Sequence, residues 1–159
     1  MPVSFTSEFV DGRTNATLSF SGPLTEASGS LTDGNYQLTI DGGDVIDAQG
    51  AAMDVDEDGT PGGILIIGDE ESDGLYRLFG DSDQNRTVNI LDLLGFRQTY
   101  LLLTGDAMFD SSFDANTDGL VNITDLLRFR QNYRVTLPYE DRNSVRSKTG
   151  AVGVKVRRK

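Results

Sequence analysis

Two rhythms of apolar and polar residues divide the chain. Up to about residue 79, apolar positions recur at every second place in short runs broken by turn formers, the spacing of half-buried strands. VSFTSEFV and ATLSF are two such runs, separated by Asp11-Gly12 and the polar RTN. In YQLTI, Tyr36, Leu38 and Ile40 fall on one face, Gln37 and Thr39 on the other. Asp41-Gly42-Gly43 turns the chain, GGILIIG reads as a short buried strand, and GLYRLF is a further candidate. The Gly/Ser-rich SGPLTEASGSLTDGN is a connector. This pattern predicts a small all-β, sandwich-like module with fewer strands than a complete sandwich needs.

From residue 80 to about 137 the spacing turns helical. Leu93, Phe96 and Tyr100 stand at i, i+3 and i+7, and so do Leu126, Phe129 and Tyr133. Thr124 or Asp125 is the expected N-cap of the second helix. The two segments are copies of one another. DSDQNRTVNILDLLGFRQTY begins at Asp81 and DANTDGLVNITDLLRFRQNY at Asp114, 33 residues later. Leu101, Leu102 and Leu103 read as core or as the linker between the copies. The expected fold class is therefore mixed: an all-β module over residues 1–79, an all-α module of two loop–helix halves over 80–137, and a basic, flexible tail over 138–159.

The polar half of each copy has its own logic. A twelve-residue EF-hand-type loop supplies oxygen ligands from positions 1, 3, 5, 7, 9 and 12, with the backbone carbonyl serving at position 7 and Gly favoured at position 6. The second copy offers Asp114, Asn116, Asp118, Leu120, Asn122 and Asp125, with Gly119 at position 6. The first offers Asp81, Asp83, Asn85, Thr87, Asn89 and Asp92, but Arg86 replaces the glycine. A non-glycine residue in the left-handed conformation costs roughly 1–2 kcal/mol, so the first loop is expected to bind more weakly. Val88 and Val121 at position 8 are expected to form a small β contact between the sites, with Ile90 and Ile123 following at position 10. A third stretch, DVDEDGTPGG, places Asp54, Asp56 and Asp58 at the same spacing but has Gly62 and Leu65 where positions 9 and 12 would be. It is a candidate third metal site or a solvated Asp/Gly turn.

Composition narrows the chemistry. The chain of 159 residues has no Cys and no His, which removes disulfides, thiolate metal sites and the commonest general base. It carries 25 Asp and Glu against 14 Lys and Arg, net −11. Hard oxygen donors in excess point to Ca²⁺ as the cofactor. Residues 1–137 hold 23 acids and 7 bases, and residues 138–159 hold 2 acids and 7 bases. An acidic body disfavours nucleic acid. No apolar run reaches 18 residues, so no membrane span is expected. The start, MPVSFTSEFVDG, lacks the basic and apolar regions of a signal peptide, and the chain reads as a C-terminal fragment of a longer product.

Asp at position 12, Asn at position 9 and one helix after each loop resemble the dockerin module, with two Ca²⁺ loop–helix halves related by pseudo-twofold symmetry. The resemblance covers about residues 79–137. It implies a non-catalytic, secreted or cell-surface docking module whose partner is a cohesin module, often in polysaccharide degradation. The residues it points to for partner contact are Ile90, Leu91, Arg97, Gln98, Ile123, Thr124, Arg130 and Gln131. Residues 31–63 are similar to the later half of secreted bacterial Ig-like modules found in planctomycete surface proteins. A partner chain is then expected to cover the incomplete β module. The alternative reading is a calcium-rigidified, adhesive cell-surface protein with no cohesin partner. A calcium-dependent carbohydrate hydrolase fragment is a third, but nothing in the sequence sets two carboxylates across a cleft.

Overall fold

The computed structural model describes residues 3–11, 13–68, 74–139 and 155–158. Their elements run β1 (Val3–Val10), β2 (Arg13–Phe20), β3 (Gly34–Asp41), β4 (Ile64–Ile67), β5 (Leu75–Arg77), α1 (Ile90–Thr99), α2 (Ile123–Asn132) and β6 (Lys155–Arg158). Short 3-10 turns occur at Gly42–Asp44 and Ser111–Phe113. The chain divides into two compact units. One takes Met1–Thr25, Asn35–Tyr76 and Tyr139–Lys159, the other Glu26–Gly34 and Arg77–Pro138.

In the first unit β1 and β2 form an antiparallel hairpin in full register, Val3 opposite Phe20 and Val10 opposite Arg13. Only two positions separate the strands, and Asp11 takes φ +53, the left-handed value such tight hairpins require. RTN is thus part of β2 and not a connector. Β3 is the best-covered strand, with Tyr36 fully buried and Leu38 8 % exposed. It pairs antiparallel with β4, Leu38 opposite Ile67, and with β6, Leu38 opposite Val156. Β5 also joins this sheet beside β3. The GGILIIG run does form β4, but Ile64 and Ile66 are exposed, so it is not the buried strand that its composition suggests. Lys155–Arg158 add a strand to β3; residues 140–154 and 159, most of the segment expected to be a flexible tail, lie outside the described residues.

The second unit corrects the expected fold class. It is not all-α: its two helices have ten residues each, and loops and short extended pairings make up the rest. The strands in the described residues otherwise belong to two sheets, and the β character expected of the N-terminal part fits. The physical reason is that each ion-binding type of loop uses about twelve residues in which side-chain oxygens, not helical carbonyls, satisfy the backbone amides. Helix begins only at position 10 of each loop.

An aromatic cluster closes this unit. Phe96 of α1 and Phe129 of α2 stack at 5.1 Å between centroids, and Phe113 meets Phe96 edge-on at 5.5 Å. Tyr100 and Tyr133 flank them at 5.8 and 6.1 Å. Val88 and Val121 are completely buried. They do not meet each other as a β pair. Val88 pairs instead with the segment after α2: its N–H donates to Val135 O at 3.0 Å and its carbonyl accepts from Arg134 N at 2.7 Å. Val121 does the same with the segment after α1: its N–H donates to Leu102 O at 3.2 Å and its carbonyl accepts from Leu101 N at 2.7 Å. Leu101–Leu103 are therefore a pairing linker, not core.

Candidate metal loops and helix faces

Each loop is organised from its first and last carboxylates. Asp81 accepts the amides of Asn85 at 3.0 Å and Arg86 at 2.9 Å. Asp114 accepts the corresponding amides of Asp118 at 3.3 Å and Gly119 at 2.9 Å. These bonds curl the chain through left-handed conformations at positions 4 and 6, namely Gln84 (φ +59) and Arg86 (+67), then Thr117 (+55) and Gly119 (+83). Arg86 therefore keeps the glycine conformation, and the steric cost expected of it is present.

Asp92 and Asp125 at position 12 are fully buried. Asp92 Oδ1 accepts from Ser82 N at 2.8 Å and Oδ2 from Asn89 N at 2.8 Å. Asp125 repeats this with Ala115 N at 2.8 Å and Asn122 N at 2.7 Å. Each carboxylate thus ties the start of its loop to the start of its helix. The second bond of each pair is half of a capping box, whose N-caps are Asn89 and Asn122. The N-cap of α2 is Asn122 and not Thr124 or Asp125; Asp125 stands at N3. Position 9 therefore serves the helix directly, its side-chain oxygen accepting from Leu91 N at 2.8 Å in one loop and from Thr124 N at 2.7 Å in the other.

The middle of the loops shows a compensated exchange. Loop one has Asp83 at position 3 and Asn85 at position 5; loop two has Asn116 and Asp118. In both, the amide nitrogen of the asparagine donates to the carboxylate at 2.8 Å. Each loop thereby keeps three carboxylates: Asp81, Asp83 and Asp92 in one, Asp114, Asp118 and Asp125 in the other. Those of loop one bring ligand oxygens within 4.8 Å of one another. Convergence of like charges with hard oxygen donors and no soft ones fits a calcium ion. Thr87 and Leu120, the residues expected to give backbone carbonyls, have those carbonyls turned toward the Asn89 and Asn122 amides at 3.2 and 3.3 Å.

Asp54, Asp56 and Asp58 also bring oxygens within 4.8 Å of one another. Asp54 accepts from Asp58 N at 3.2 Å and Gly59 N at 2.8 Å, as Asp81 and Asp114 do at the same spacing. Glu57 and Gly59 take φ +57 and +86. The likeness ends there, because the chain continues into β4 and Leu65 offers no carboxylate.

All eight residues expected to contact a partner are exposed: Ile90, Leu91, Arg97 and Gln98 on α1, and Ile123, Thr124, Arg130 and Gln131 on α2. The structure adds Leu94 and Leu127, 47 % and 55 % exposed. Sequence reading passed over them. Their signal is the i, i+4 spacing from Ile90 and Ile123, which places them between the isoleucine and the arginine of each face. A further group was also missed. Asp33, from the Gly/Ser-rich stretch, accepts from Arg77 Nη1 at 2.8 Å, Phe79 N at 2.7 Å, Arg128 Nη2 at 2.9 Å and Asn132 Nδ2 at 2.7 Å.

Residues 79–132 match the family model of the dockerin type I domain. No curated protein and no solved structure matches the chain. The dockerin resemblance thus holds for that segment. Dockerin domains bind calcium and are non-catalytic modules for protein docking, found in secreted or cell-surface proteins. Among the described residues no helix is long and apolar enough to cross a membrane.

Proposed function

We propose, taking residues 79–132 as a type I dockerin domain, that the unit binds one Ca²⁺ in each loop and docks a cohesin-type module of another protein. The ligands are the side-chain oxygens of Asp81, Asp83, Asn85, Asn89 and Asp92 with the Thr87 carbonyl, and those of Asp114, Asn116, Asp118, Asn122 and Asp125 with the Leu120 carbonyl. Arg86 makes the first site the weaker. Asp54, Asp56 and Asp58 are the candidate third site, weaker because side-chain ligands are lacking at positions 9 and 12, Gly62 and Leu65. Bound calcium supplies the charge that offsets the three carboxylates of each loop, which converge in loop one, and the loops then hold α1 and α2 by their first turns. Binding to the folded state alone stabilises it by about 4 kcal/mol at a thousandfold excess over Kd. Millimolar calcium outside the cell suits such sites, so the protein works in a secreted or surface setting. A part in assembling polysaccharide-degrading machinery follows from the same reading.

One observation carries it: the exposed faces of the two helices repeat each other, Ile90 with Ile123, Leu94 with Leu127, Arg97 with Arg130 and Gln98 with Gln131. Exposed aliphatic side chains in a repeated frame suit a partner more than they suit water. The test is capture of type I cohesin modules by the calcium-loaded chain, together with thermal melting in calcium and in EGTA. An unchanged Tm in EGTA removes the calcium mechanism. Intact calcium binding with no cohesin captured favours the adhesive surface-protein reading.

A further inference from the structure

The two helix faces are not equivalent, and the difference starts at position 15 of the repeat. That position is Gly95 in the first half and Arg128 in the second. Arg128 lies on the flank of α2 beside Thr124 and Gln131, four and three residues away. Its Nη2 donates to Glu26 Oε1 at 2.8 Å and to Asp33 Oδ2 at 2.9 Å, and its Nη1 donates to Gln131 Oε1 at 3.1 Å. Asn132 donates to Asp33 Oδ2 at 2.7 Å and to Phe79 O at 2.8 Å. Arg77 grips the same Asp33 at 2.8 Å. Through Arg128 and Asn132, Glu26 and Asp33 therefore hold the 26–34 segment as a wall against one flank of α2, and Arg128 itself holds the Gln131 side chain. On α1 position 15 cannot make these bonds. Gly95 has no side chain, and a Cβ added there would lie 3.3 Å from Phe113 Cζ.

Polarity separates the faces further. At positions 10, 11, 14 and 21, α1 and the second residue after it present Ile90, Leu91, Leu94 and Leu101; the second half presents Ile123, Thr124, Leu127 and Arg134. Leu91 and Leu101 are 61 % and 64 % exposed. Two more aliphatic side chains give α1 the larger area to remove from water, at about 25 cal/mol per Å². The charges exposed on these two faces are Arg97, Arg130 and Arg134, in a chain of net charge −11. The fitting partner surface is an aliphatic patch bordered by carboxylates.

We propose that docking is polarised: α1 makes the principal contact, and the residue 26–34 wall, anchored through Arg128, bars the reversed orientation in which α2 takes that place. This rests on the cohesin-type reading above. The experiment measures the affinity of the calcium-loaded full chain for a panel of type I cohesin modules, comparing wild type, Leu94→Asp, Leu127→Asp and the Leu94→Asp chain also carrying Glu26→Ala and Asp33→Ala. Melting in calcium confirms that each variant is folded. Expected is a loss of at least about tenfold for Leu94→Asp, less than about threefold for Leu127→Asp, and partial recovery when the wall is released. Equal losses for the two leucines, or a larger loss for Leu127→Asp, overturns the proposal and leaves the docking reading intact. Should the triple variant not fold, the two single variants still decide it. Wild type binding no cohesin overturns the docking reading and this inference together.

Discussion

The hydroxyl of Thr87, inside the first loop, lies 3.1 Å from that of Thr136, four residues beyond the end of α2. The two residues are partners in an antiparallel bridge, and Leu103 and Leu120 form its counterpart in the other half. Each loop is therefore held from outside by the segment that leaves the opposite helix.

Leu137 N donates to Arg86 O at 2.8 Å at the edge of this pairing. Leu137→Pro deletes that donor, for a net loss of about 1 kcal/mol. Calorimetric titration should show calcium affinity of the first loop falling roughly fivefold, with the second loop unchanged.

Arg86→Gly acts on the same loop in the opposite direction. It removes the strain of a non-glycine residue at φ +67. Part of the roughly 1–2 kcal/mol relief is offset by the greater freedom of glycine in the unfolded chain. A net gain of roughly 0.5–1 kcal/mol should appear as a higher Tm in calcium and a tighter first site.

Asp125→Ala is expected to be severe. The buried carboxylate accepts two backbone amides, from Ala115 and Asn122, and the variant leaves both without it. At about 1–3 kcal/mol for each orphaned buried donor, the loss approaches the whole stability of a small unit. Circular dichroism should show loss of helix that excess calcium does not restore.

Gly80→Ala tests the packing under α2. Gly80 has φ +94, and a Cβ there would sit 2.8 Å from Phe129 Cδ2. Backbone strain and overpacking act together, costing roughly 2–4 kcal/mol. Tm should fall by about 8 °C or more in saturating calcium, at roughly 4–8 °C per kcal/mol for a unit of this size.

What was legible in the sequence was local. Alternating oxygens in a fixed frame announced both loops, and the Leu, Phe, Tyr spacing announced both helices, because each is written in neighbouring residues. The all-α expectation failed because twelve-residue loops leave room for only ten-residue helices. The role of Asp33 was hidden for a different reason: its partners Arg128 and Asn132 lie 95 and 99 residues away, and no periodicity records such a contact. Phe113 was equally silent, as a lone aromatic in a 3-10 turn carries no helical rhythm.

The crosswise pairing of loops with departing segments bears on how such a unit can arise. A single loop–helix copy would present an edge at position 7 with nothing to complete it, and a departing strand with nothing to join. Two separate copies would meet both needs by embracing each other. The 33-residue repeat in one polypeptide is then built like a symmetric dimer made covalent, each half completing the other.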